Sequence, residues 1–138
     1  MQVTTPRFGV IEIDESTVIT FPEGLPGFEA CTRFKLLHEE SPDPKVMWLQ
    51  SLDEPSVVFS VIDSRVLGLN FNLRLSDEEM ALIDNPAEEN LALLLTLIRD
   101  GAGNGIRANT QAPILLNVAS RLAFQKGGVR AEIVFTNE

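Results

Sequence analysis

Leu91-Ala92-Leu93-Leu94-Leu95-Thr96-Leu97-Ile98 is the longest nearly apolar run in the chain, and its reading decides the fold. Leucine favours helices, but the run is apolar on every face, so periodicity does not separate a buried helix from a strand covered on both sides. Length arbitrates. Eight residues suit a buried strand, and the Asp100-Gly101-Ala102-Gly103-Asn104-Gly105 that follows reads as a flexible connection. The same run is too short to cross a bilayer, and no basic segment followed by an apolar one opens the chain, so a cytoplasmic protein without membrane insertion is expected.

Working outward, residues 114–118 and 129–135 read as strands, and Gln125-Lys126-Gly127-Gly128 between them carries a hairpin signal, since paired glycines supply positive φ. Upstream, residues 8–13 and 17–21 read as two strands joined near Asp14-Glu15-Ser16. In Pro22-Glu23-Gly24-Leu25-Pro26-Gly27, fixed and permissive φ alternate and forbid a ladder, which predicts a rigid shaped loop. Residues 34–37, 46–52 and 57–62 are further strands, separated by Ser41-Pro42-Asp43-Pro44 and Asp53-Glu54-Pro55. Ser76-Asp77-Glu78-Glu79 has the form of a capping box, so one short helix is expected over 77–84, ending by Pro86. About nine short strands and one helix imply a mostly β fold, an antiparallel barrel or two-sheet sandwich, as a single domain over residues 1–138. At this length roughly 68% of the unfolded chain's surface can be buried, so a core without disulfides is feasible.

Cysteine and histidine usage removes several chemistries. Cys31 has no partner for an internal disulfide, and His38 is the only histidine, so neither a zinc cluster nor a metal-dependent reaction is expected. A Cys31/His38 dyad would be separated by a strand, and a buried thiol with a surface imidazole is the simpler reading. Glu39-Glu40, Asp53-Glu54 and Glu88-Glu89 sit beside turn residues, as solvated loop charges do. Gly101, Gly103 and Gly105 lack the third position of a dinucleotide fingerprint, so no cofactor is expected. Eight Phe and one Trp without interleaved bases do not form a nucleic-acid stacking platform.

Charge is the distinctive feature. Residues 1–100 hold 18 acids against 7 Lys/Arg, whereas residues 101–138 hold 2 against 4, and the chain totals −9. Phosphate backbones need cations, which disfavours direct nucleic-acid binding and suits either a basic protein partner or plain solubility. Within residues 76–90, Asp77, Glu78, Glu79, Asp84, Glu88 and Glu89 occur with no Lys or Arg. Acids in a first turn also suit the helix dipole.

Phe8-Gly9, then Ile19-Thr20-Phe21-Pro22-Glu23-Gly24-Leu25-Pro26-Gly27-Phe28-Glu29, Trp48-Leu49-Gln50-Ser51, Ala108-Asn109, Ala112-Pro113-Ile114 and Asn117 resemble, in order and spacing, the flagellar assembly factor FliW family. The resemblance implies a small mostly β protein without catalytic activity that binds flagellin and CsrA, a basic, dimeric RNA-binding translational repressor. It also implies that flagellin competes for the protein and thereby frees CsrA, coupling translation to filament export. Asn72 and Arg74 depart from the alternating acids common in that strand, which implies weaker CsrA contact there, and the chain ends at Glu138 without the basic, proline-containing tail of many members. On this reading Asp77, Glu78 and Glu79 steer a basic partner while Phe71, Asn72, Asn109 and Gln111 supply short-range fit. The alternatives are an acidic binding module for another basic protein and a carboxylate-dependent hydrolase, the latter disfavoured by the missing second histidine and nucleophile motif.

Overall fold

A computed structural model describes residues 1–38, 46–71, 74–99, 106–127 and 131–133. The run that decides the fold is a strand, β8 (Leu91–Arg99), and it is paired along both edges. The preceding elements are β1 (Gln2–Thr5), β2 (Gly9–Glu12), β3 (Ile19–Thr20), β4 (Arg33–His38), β5 (Val46–Ser51), β6 (Val58–Asp63), β7 (Leu69–Phe71) and the helix α1 (Asp77–Leu82). After β8 come β9 (Ile106–Ala108), β10 (Ile114–Asn117), β11 (Leu122–Gln125) and β12 (Ala131–Ile133).

Seven strands close into a barrel in the order β10, β11, β3, β4, β5, β6, β8, with β8 returning to β10. On β8, Leu94 to Thr96 face β6 while Leu91 to Leu94 face β10, and β9 continues that second edge opposite Leu97 to Arg99. Every barrel junction is antiparallel except β11 with β3, where Leu122 lies beside Thr20. The expected choice between barrel and sandwich thus resolves to a closed barrel, which leaves few edges exposed.

Side-chain alternation explains why the decisive run is apolar throughout. Ile19, Phe34, Leu49, Val61, Leu94, Ile114, Leu116 and Ala123 fill the interior, so all seven strands contribute to one core. The opposite face of β10 and β11 presents Leu115 and Phe124, which pack with Ile83 at the end of α1, and Leu91 of β8 joins them. The segment around Ile83 covers the outer wall where these strands meet, so both faces are apolar there and the usual alternation of apolar and polar residues disappears.

Asn117 fastens that helix. Its Nδ2 donates to the Ile83 carbonyl at 2.7 Å, and its Oδ1 accepts from the backbone N–H groups of Ala119 at 3.0 Å and Ser120 at 3.3 Å. One buried amide therefore caps α1 and shapes the turn into β11, where Arg121 adopts a φ of +62°.

Several boundaries differ from expectation. The helix ends at Leu82 rather than 84, because Asp84 and Asn85 take φ values of +59° and +44° and reverse the chain before Pro86. Residues 8–13 do not pair with residues 17–21. Instead β2 pairs with β1, a strand absent from the sequence reading, and a 3-10 turn at Glu15–Thr17 follows. The hairpin expected at 125–128 is displaced: β10 pairs with β11 through residues 118–121, whereas β12 pairs with β7. Ser41-Pro42-Asp43-Pro44, Glu39-Glu40 and the 100–105 connection lie outside the described residues, as does Gly128. Cys31 is buried and His38 exposed, as expected.

Asn117→Ala should destabilise the protein by about 3 kcal/mol, because it strands the Ile83 carbonyl and two turn N–H groups without partners. Urea unfolding followed by far-ultraviolet circular dichroism measures it, and a change under about 1 kcal/mol would remove this amide from its anchoring role.

Candidate functional site

The loop over residues 22–27 divides the surface of interest, and its shape follows from its sequence. Phe21 and Leu25 are buried in the barrel core, so the chain enters and leaves the loop through apolar anchors. Between them Gly24 has a φ of +70°, and a Cβ there would meet the Glu29 carbonyl oxygen at 2.5 Å and its Cα at 2.6 Å. Only glycine fits. Gly27 also has a positive φ, +84°, but open space surrounds the position. Gly24 N–H donates to the Phe21 carbonyl at 2.9 Å and Phe28 N–H to the Leu25 carbonyl at 2.7 Å, which makes two successive turns.

Asp53 ties the far side of the loop to the barrel. Its Oδ2 accepts from the backbone N–H groups of Thr32 and Arg33, each at 2.9 Å, and its Oδ1 accepts from Arg33 Nε at 3.2 Å and Nη2 at 3.0 Å. Burial alone would raise the Asp53 carboxyl, but these N–H donors and the guanidinium outweigh it and hold the group below the ordinary value of 3.8. This carboxylate is exposed, as expected of a loop charge, and it also serves as a structural clamp.

On one side of the loop, Glu23 shares an open depression with Glu78, Glu79, Ala81 and Leu82. The capping box forms as written: Ser76 Oγ accepts from Glu79 N–H at 3.1 Å, and Glu79 Oε1 accepts from Ser76 N–H at 3.0 Å. Glu79 is further occupied by Lys126, whose Nζ lies 2.9 Å and 2.8 Å from its two oxygens. The Lys126 hydrogen bond, then the backbone N–H of Ser76, hold the Glu79 carboxyl below its ordinary 4.5. Asp77 and Glu78 are exposed, so among these three acids the uncompensated charge facing solvent sits on those two.

On the other side of the loop, Leu25, Pro26, Phe28, Phe59, Leu97 and Ile98 line a groove of about 210 Å³. Phe28 and Phe59 meet edge to face at 5.4 Å. Asn109 and Gln111 do not adjoin the helix. They line a shallow recess with Ile98 and Arg107, where Gln111 N–H donates to Asn109 Oδ1 at 3.2 Å and Asn109 N–H to the Thr96 carbonyl at 2.8 Å. Phe71 is half-buried in the separate β7–β12 sheet, and Asn72 lies outside the described residues. The proposed contact residues therefore fall on more than one surface. Sequence reasoning missed Glu23, whose signal was its place in a rigid loop, and Arg7, whose guanidinium lies 5.6 Å from the Trp48 ring centroid and 5.8 Å from that of Phe8.

Among the described residues, no group of three or more His, Cys, Asp or Glu side chains could hold a metal ion, and no helix is long and apolar enough to cross a membrane. A closed barrel carrying an acidic helix and a rigid Pro/Gly loop defines a small β-barrel scaffold with separate surface patches. The FliW protein family model matches residues 2–129, and this chain belongs to that family. It is 45% identical over 134 residues to the flagellar assembly factor FliW of Azoarcus sp. (strain BH72), covering 91% of this chain and 90% of that one. Identity to the flagellar assembly factor FliW of Chromobacterium violaceum is 38% over 143 residues, covering 97% of each. A crystal structure of the flagellar assembly factor FliW superposes with a TM-score of 0.78 at 31% identity, covering 92% of this chain and 88% of that one.

Two stability tests follow from this geometry. Gly24→Ala should cost more than Gly27→Ala, because both carry the left-handed penalty of about 1–2 kcal/mol but only Gly24 also meets backbone. Equal losses of melting temperature would contradict the close approach at Gly24. For Glu79, whose carboxyl is depressed on folding, the stabilisation is present above pH 4.5 and is lost as pH falls through the lower folded-state value. Glu79→Gln keeps a capping side chain, so it should lower stability by about 1 kcal/mol or less at pH 7, with the difference closing in acid. A difference independent of pH, measured by urea unfolding from pH 7 to 3, would exclude the ion pair as its source.

Proposed function

We propose that this chain is a non-catalytic cytoplasmic regulator of flagellum biogenesis and translation that binds flagellin and the repressor CsrA, antagonises CsrA, and shields flagellin as a chaperone would. The observation that carries the reading is the exposed pair Asp77 and Glu78 on α1, within a segment free of Lys and Arg and beside Glu23. A basic partner is attracted to that side, and the rigid loop next to it limits the entropy lost on docking. Mutually exclusive or negatively coupled binding of flagellin and CsrA then suffices to link filament export to translation. The names of the relatives, flagellar assembly factors, support the flagellar part of this reading. Arg74 is exposed and adds positive charge near the helix, which together with Asn72 weakens contact with a basic surface relative to an acidic strand.

Charge reversal of Asp77 and Glu78, leaving Glu79 in place, isolates steering from folding. Asp77→Lys with Glu78→Lys should slow association with purified CsrA by ~fivefold or more at low ionic strength and flatten its salt dependence. The melting temperature should hold nearly constant and flagellin binding should change less. An unchanged association rate at low salt takes the helix out of the CsrA interface, and wild-type protein that binds neither purified CsrA nor flagellin defeats the reading as a whole.

A further inference from the structure

The surface around Phe28 and Phe59 carries a different chemistry from that of the acidic helix. The groove beside Phe28 and Phe59 runs into the recess beside Arg107 through Ile98, and into a third depression, lined by Arg7, Trp48 and Ile106, through Leu97. Ile98 and Ile106 are 38% and 66% exposed, the latter on the short strand β9. The chain has 20 acidic residues, yet among the described residues no Asp or Glu lines any of the three depressions. Arg7 and Arg107 are exposed along its border, and neither forms an ion pair with a carboxylate of the described residues. Arg7 is already placed by its aromatic neighbours, so engaging it costs little further side-chain entropy.

We infer that this arginine-bordered face, free of acids among the described residues, docks an apolar polypeptide segment that carries carboxylates and, resting on the reading above, that the segment belongs to flagellin. Among the described residues, a basic partner would meet two guanidinium groups and no counter-charge here. A wholly apolar one would leave both arginines partly desolvated and unpaired. A second copy of this chain brings acids but also a net charge of −9, which opposes self-association.

The test compares wild type with Ile106→Asp/Arg107→Glu, both exposed positions, in titrations with purified monomeric flagellin and purified CsrA. Flagellin affinity should fall at least ~tenfold, with CsrA association unchanged. Flagellin binding retained by the folded double variant overturns this inference and leaves the proposed function standing, whereas wild type that fails to bind flagellin defeats both. Wild type that sediments as a dimer, with the variant monomeric, assigns the face to a second copy instead. Because Trp48 is the only tryptophan, 5-fluorotryptophan labelling gives one fluorine resonance beside Arg7 in the unmutated chain. It should shift on saturation with flagellin, and an unmoved resonance also overturns the assignment.

Discussion

One strand, β8, must be hydrogen-bonded along both edges and, at Leu94 and Leu95, buried on both faces, and the rest of the molecule is arranged to satisfy that demand. Buried backbone groups need partners, so β6 and β10 flank it, and pairing with β10 closes the barrel. The inward face completes a core to which every barrel strand contributes. The outer wall that β8 shares with β10 and β11 would be exposed leucine and phenylalanine without α1, so helix position is a requirement of closure. Asn117 and the Glu79–Lys126 pair hold the helix at its two ends.

That arrangement also sets where charge can go. The helix is anchored to the barrel by the flanking Leu75 and Ile83, and Asp77 and Glu78 face solvent. Across the loop, aromatic and aliphatic side chains form a surface bordered by arginine. The loop contributes Glu23 to the first surface and Leu25 and Pro26 to the second, and it is held by Gly24 against the Glu29 backbone and by Leu25 in the core.

Local chemistry made the loop, the capping box and most central strands legible. Gly24, Gly27 and Ser76 behave as their residue types dictate because their roles depend on near neighbours in sequence. What escaped was long-range. Gly-Gly at 127–128 signalled a hairpin, but β12 finds its partner in β7, more than fifty residues earlier. The clamping role of Asp53 was hidden because its five donors belong to Thr32 and Arg33, about twenty residues away. The acidic helix could be read from composition, but the separation of Asn109 and Gln111 from it depends on β9 pairing with β8, which no local pattern announces.

The single parallel junction has a consequence for biosynthesis. β3 is hydrogen-bonded to β4 on one edge, but its other neighbour is β11, and Thr20 meets Leu122 across a hundred intervening residues. Antiparallel neighbours such as β4, β5 and β6 can zip as soon as each leaves the ribosome, whereas the barrel wall stays open at β3 until nearly the whole chain has emerged. Contacts of such sequence separation slow folding and prolong exposure of unpaired edges. A nascent chain truncated before Leu122 therefore carries an open, adhesive strand edge, and its need for protection ends only when synthesis is almost complete.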